Sequence, residues 1–238
     1  TCGTLLGAVR HQGFIPWDDD MDVGMLRENY EKFCRIAPEK LKPEYCWQTW
    51  YTDPNYALPF GKVRKRGTLY LEAKSHRLEE NGFYVDIFPY DAVSPDAEKR
   101  QETAGRLLKI YRTKLMRSHY QPWRENEKTL WKKRIGYLYY QALALFADQE
   151  GLARAYDALA TALPESGYVC EQSAMTKPDA YEKAWCQALT DVVFEGETFK
   201  APAEYEKFLT TLYGDYMQLP PEDQRENRHQ IVQIDFGA

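Results

Sequence analysis

Gly3-Thr-Leu-Leu-Gly-Ala-Val-Arg-His-Gln-Gly-Phe-Ile-Pro-Trp-Asp-Asp-Asp-Met-Asp-Val-Gly-Met25 is the stretch on which the reading of this chain turns. Asp18, Asp20 and Asp22 recur at a period of two, so on a strand all three project from one face. Gly3 and Thr4, just ahead of Leu-Leu-Gly-Ala-Val, read as a turn opening a short helix. The first N–H groups of such a helix lack backbone partners and suit a phosphate. Like charges crowded on one strand face repel unless a cation lies among them. A solvated acidic turn fits poorly, because apolar residues flank the run on both sides and a buried, unpaired carboxylate is costly. A divalent cation bound together with a phosphate ester resolves the conflict. An EF-hand loop counted from Asp18 would need Gly and Glu where the chain has Val23 and Asn29, so calcium of that kind is excluded. Mg²⁺ or Mn²⁺ is the expected ion.

Outward from this stretch, residues 27–41 carry Tyr30, Phe33, Cys34 and Ala37 at helical spacing and end before Pro43. Strand-like sequence follows at 45–52, 60–65, 68–72 and 83–88, with Pro89 expected to close the last. From about Pro95 the apolar spacing becomes helical, over 97–119, 128–147, 151–163 and 202–213. Pro202 suits a first helical position there and Gly214 a helix end. The expected class is α/β (α+β): a mixed sheet in a catalytic core over 1–94, and a mostly helical region over 95–238 packed on it as one unit. A strand normally leads into a Gly-Thr turn, so the chain is expected to continue upstream of Thr1.

Asp86, alone inside Tyr84-Val-Asp-Ile-Phe88, is either a buried structural acid or a further site carboxylate. Beside an Asp-x-Asp strand it would complete a clamp for two cations about 4 Å apart, as metal ligand or as general base. Lys62, Arg64 and Arg66 share one face of a basic strand. They read either as a solvated edge or, for Lys62 and Arg64, as groups that neutralise phosphate. Arg10 has the same potential role, while His11 reads rather as a structural partner of the Asp run. Trp17 either packs in the core or stacks on a nucleobase or a quaternary ammonium.

The bulk composition narrows the partners. With 44% apolar residues the chain can bury a core, and a net charge of −5 offers no field that would by itself recruit nucleic acid or an anionic membrane. The five cysteines show neither C-x-x-C nor zinc-finger spacing, which points to free thiols in a reducing compartment. No apolar run approaches the ~18 residues of a spanning helix, so a cytoplasmic enzyme is expected. Whether the 128–147 helix docks a membrane or a partner is left open.

Three blocks, Gly3-Thr-Leu-Leu-Gly-Ala-Val-Arg-His11, Ile15-Pro-Trp-Asp-Asp-Asp-Met-Asp-Val-Gly24 and Val85-Asp-Ile-Phe-Pro89, resemble the LicD family. Phe194-Glu-Gly196 and Leu212-Tyr-Gly-Asp-Tyr-Met-Gln-Leu-Pro-Pro221 resemble its closing segment, so the likeness spans nearly the whole chain. This family is related to fukutin and fukutin-related protein and has the nucleotidyltransferase fold. The resemblance implies transfer of a phospho-alcohol, phosphocholine from CDP-choline being favoured, onto a hydroxyl of a cell-surface glycan with release of CMP. The acceptor class is lipopolysaccharide, teichoic acid or capsule, with peripheral contact at the inner face of the membrane through a glycan-lipid. It further implies that Gly3 and Thr4 form the phosphate-cradling turn, that Asp20, Asp22 and Asp86 bind metal, and that Asp18 leads the acidic run. His11 to Trp17 forms an extra loop relative to ordinary nucleotidyltransferases, and the zinc-binding insertion of fukutin-related protein has no counterpart here. The alternatives are a nucleotidyltransferase attaching NMP to a small hydroxyl compound, and an inactive glycan- or nucleotide-binding relative.

Overall fold

A computed structural model describes residues 1–73, 78–120, 130–172, 179–227 and 229–237. The chain opens on α1 (Cys2–His11), then β1 (Asp22–Leu26), α2 (Arg27–Lys40), β2 (Tyr45–Gln48), β3 (Gly61–Lys65), β4 (Leu69–Glu72) and β5 (Tyr84–Ala92). Three helices follow, α3 (Ala97–Arg117), α4 (Leu130–Phe146) and α5 (Gln149–Ala160), then β6 (Tyr168–Glu171), β7 (Tyr181–Glu182) and α6 (Lys183–Gln187). The remainder is β8 (Leu189–Phe194), β9 (Glu197–Pro202), α7 (Tyr205–Tyr213), a single 3₁₀ turn and β10 (Ile231–Asp235). Among the described residues, no helix is long and apolar enough to cross a membrane.

β5 organises the main sheet. It pairs with β1 in parallel, and with β3 and β6 antiparallel; β2 extends the β3 side and β7 the β6 side. Both β1 and β3 pair at residues 86 and 87, and both β1 and β6 at residue 90, so β3 and β6 share the edge opposite β1. Pro89 therefore does not close the strand as expected. Its missing N–H falls between the end of β3 pairing at Ile87 and the start of β6 pairing at Tyr90, where no ladder bond is lost.

Alternation along β5 sends successive residues to opposite faces. Ile87 packs with Tyr30, Ala37 and Trp47 under α2, whereas Phe88 and Tyr90 pack with Leu5, Leu6 and Phe208 beneath α1 and α7. A third cluster joins Trp50 and Tyr56 to Leu107, Tyr111 and Leu115 of α3 and Tyr156 of α5. Asp96 caps α3, its carboxylate accepting from the Glu98 and Lys99 amides.

Several expectations change at the level of elements. Beside its helices the second half also holds strands that were not expected: β6 and β7 join the main sheet, β8 and β9 form a hairpin, and β10 pairs with β4. Glu195 and Gly196, both at positive φ, make the two-residue turn of that hairpin. Pro202 ends β9 instead of opening α7, which starts at Tyr205. The acidic run is a strand only from Asp22 onward; Asp18 and Asp20 lie on the loop before it. The 128–147 helix is described from Leu130, its first residues lying outside the described ones.

Candidate functional site

The site starts from a register. β1 and β5 are parallel with Asp22 opposite Asp86, so the two carboxylates stand side by side on the face that α1 covers. The loop ahead of β1 adds Asp20. One carboxylate oxygen from each of Asp20, Asp22 and Asp86 lies within 4.8 Å of the others, and so does one from each of Asp18, Asp19 and Asp20. Asp20 is common to both groups. The loop is pinned where it enters the strand, because the Asp22 amide donates to Thr4 Oγ1 at 2.7 Å. Thr4 thus ties the first turn of α1 to the acids.

Electrostatics follows from this crowding. Burial first, then repulsion from Asp20 and Asp86, pushes the Asp22 carboxyl up to about 8. Burial and the neighbouring Asp20 and Asp19 raise Asp18 to about 6. Asp86 is raised by burial, against the pull of Lys62, whose Nζ lies 2.6 Å from its Oδ1. Lys62 is paired with Asp86. Charge on Asp20, Asp22 and Asp86 together is opposed by burial and mutual repulsion, an opposition that a divalent cation among them would relieve.

The start of α1 completes the site. No side chain caps the helix and its first turn holds no acid. A Cβ built on Gly3 would come within 2.5 Å of Asp18 Oδ2, so a larger residue there would push the Asp18 carboxylate aside. A cleft of about 550 Å³ opens here, lined by Gly3, Arg10, Trp17, Asp18, Asp20 and Asp22 on one side. Tyr213, Asp215, Tyr216, Gln218 and Glu226 form the other. Arg10 reaches across it, donating to the Tyr216 carbonyl at 2.8 Å. The Arg225 guanidinium sits 5.8 Å from the centre of the Trp17 ring, which also packs on the core beneath α1.

The remaining sequence candidates lie elsewhere. Arg64 is buried and fully engaged, bonding to the Gln48 side chain at 2.5 Å and the Gly82 carbonyl at 2.7 Å, and does not meet the acids. His11 accepts from Arg10 Nε at 2.9 Å instead of partnering the Asp run. Asp19, which falls off the period-two pattern, has a role that the pattern hides. It accepts from the Tyr70 hydroxyl and pairs with His229 Nδ1 at 2.7 Å, while His229 Nε2 lies 3.6 Å from Asp20. Burial raises the Asp19 carboxyl, but hydrogen bonds from Asn227, Tyr70 and His229 outweigh it and hold the group below its ordinary value. Only the β4–β10 pairing brings Tyr70 and His229 to the acid loop, and no local sequence signal announces it.

Acids clustered on and before neighbouring parallel strands, beside an uncapped helix start, are an arrangement suited to phosphoryl transfer in an α/β enzyme. The family model described as LicD/FKTN/FKRP, nucleotidyltransferase domain matches residues 1–125, and the chain belongs to that family. It is a LicD-type phosphotransferase. The chain is 30% identical over 236 residues to the lipopolysaccharide cholinephosphotransferase LicD of Haemophilus influenzae, covering 95% of this chain and 84% of that protein. A shorter match, 60% identical over 37 residues, covers 16% of the chain and 12% of an uncharacterized protein of Rickettsia typhi. One of Rickettsia prowazekii matches at 57% over 37 residues, covering 16% of the chain and 14% of that protein.

Proposed function

We propose that this enzyme transfers phosphocholine from CDP-choline to a hydroxyl of a lipopolysaccharide-type glycan and releases CMP. The name of the Haemophilus relative supports the choline and the acceptor class. The observation that carries the reading is the pair of carboxylate groups sharing Asp20 at a cleft floored by an uncapped helix start. Asp20, Asp22 and Asp86 would hold Mg²⁺ or Mn²⁺. When bound, such an ion neutralises phosphate and stabilises charge developing on phosphoryl oxygens.

The chain's own groups do the rest. The first amides of α1 and the Arg10 guanidinium face the donor's diphosphate, and Trp17 offers a ring to the cytosine or the trimethylammonium. The acceptor hydroxyl oxygen forms the new P–O bond, the bond to CMP breaks, and the hydroxyl proton passes to a carboxylate. Asp18 suits that role better than Asp86, because it lines the cleft whereas Asp86 is buried against Lys62. Lys62 is then a positioning residue for Asp86.

Incubating the enzyme with CDP-choline, a truncated lipopolysaccharide acceptor and Mn²⁺ tests the reading. CMP and phosphocholine-modified glycan are expected, with activity lost on chelation. Pyrophosphate release from CTP and phosphocholine would instead establish nucleotidyl transfer, and silence with every CDP-alcohol would mark a binding protein.

A further inference from the structure

The outward face of α4 combines exposed apolar side chains with cations. The chain carries a net charge of −5, yet the described helix Leu130–Phe146 contains Lys132, Lys133 and Arg134 and no acid. At about 100° per residue, Trp131, Ile135, Leu138, Tyr139, Leu145 and Phe146 fall on one stripe. These six side chains are between 53% and 92% exposed. The stripe is not the side that holds the helix to the protein. That side carries Tyr137, Tyr140 and the buried Ala144, with the Arg112 guanidinium of α3 5.8 Å and 5.6 Å from the two tyrosine rings.

Cations rim the stripe. Lys132 and Arg134 fall on its opposite flanks, Lys132 Nζ lies 5.4 Å from the Trp131 ring, and Lys109 of α3 lies 5.6 Å from the Tyr139 ring. We infer that this face seats the enzyme on an anionic lipid surface. Leucine, isoleucine and phenylalanine would enter the acyl boundary, Trp131 and Tyr139 would sit at headgroup depth, and the cations would meet lipid phosphates. The helix lies in the plane of the surface, since it is too short and too polar to cross. A second copy of the chain fits less well, because an isologous contact would set this basic rim against itself. The inference stands on α4 alone and not on which group the cleft transfers.

Co-sedimentation of the full chain with vesicles tests it, using phosphatidylcholine alone and phosphatidylcholine mixed with phosphatidylglycerol. Binding to the anionic vesicles is expected, weakening as salt rises. Leu138→Glu with Phe146→Glu should reduce partitioning roughly tenfold or more. Lys132→Glu with Arg134→Glu should reduce it by about the same factor. All four residues are exposed, so circular dichroism melts should match the parent protein. No binding, equal binding to neutral vesicles, or variants that bind like the parent would overturn the inference. So would light scattering that shows a dimer abolished by the Leu138 and Phe146 changes.

Discussion

Burial and the Asp20 and Asp86 carboxylates work against charge on Asp22, and in the absence of a bound cation that opposition falls on the folded state. Asp22→Asn removes one of the repelling charges while keeping the side-chain shape. The variant should melt at or above the parent's temperature when chelator is present, and a gain of about 1 kcal/mol is reasonable. Turnover, measured as CMP release, should fall roughly a hundredfold to a thousandfold. A loss of both stability and activity would show Asp22 to be structural. Gly3 makes a steric argument at the same scale. Its missing Cβ leaves room for Asp18, which a methyl would meet at 2.5 Å. Gly3→Ala should therefore displace the Asp18 carboxylate at little cost to the fold, with kcat reduced at least about tenfold at near-parent melting temperature.

Helix α3 shows how an element can carry a cost that its pattern conceals. Leu107, Tyr111 and Leu115 form the apolar stripe legible in the sequence, yet Lys114 beside them is fully buried. Its ammonium donates to the Pro54 carbonyl at 3.4 Å, and burial lowers its pKa from 10.5 to about 8. Between these two values the unfolded chain holds the proton that the folded chain has released, so stability attributable to Lys114 rises with pH across that window. Below about pH 8 both states are charged and the full penalty stands. Urea titrations of the parent and of Lys114→Met, taken across this range, should show a difference that shrinks as pH rises. A constant difference would show the ammonium to be solvated. Elements were legible where one face alone is buried. The strands after residue 160 were not, because short segments such as Tyr181–Glu182 acquire their partners only through the sheet.

At the scale of the molecule, Arg27 links the sheet to the helical region. It stands where β1 gives way to α2, and its guanidinium holds Asp91 of β5 at 2.5 Å and approaches Asp157 of α5 at 3.9 Å. Asp91 is 2% exposed, so losing Arg27 would strand a buried carboxylate. Arg27→Met should cost about 3–5 kcal/mol in denaturant unfolding. Pairing it with Asp91→Leu should recover much of that loss, whereas additive losses would mean that the two residues act separately. The cleft depends on the same long-range assembly. Its second wall comes from residues 213–226, and the strand that follows brings His229 to Asp19.

Composition and short-range pattern by themselves determined a mixed α/β chain, an acid-rich stretch leading into a strand, and a helix just ahead of it, which takes Gly3 and Thr4 into its first turn where a preceding turn was expected. Each of those follows from residues within a few positions of one another, where backbone preference and alternation act. Which acids meet was decided only by tertiary structure. The parallel register of β1 on β5 sets Asp86 beside Asp22, the ladder opposite sets Lys62 against Asp86 and Arg64 further along against Tyr84, and β10 carries His229 across the acid loop. Strand register and chain crossing depend on hydrogen bonds between segments far apart in sequence, and no local spacing encodes those.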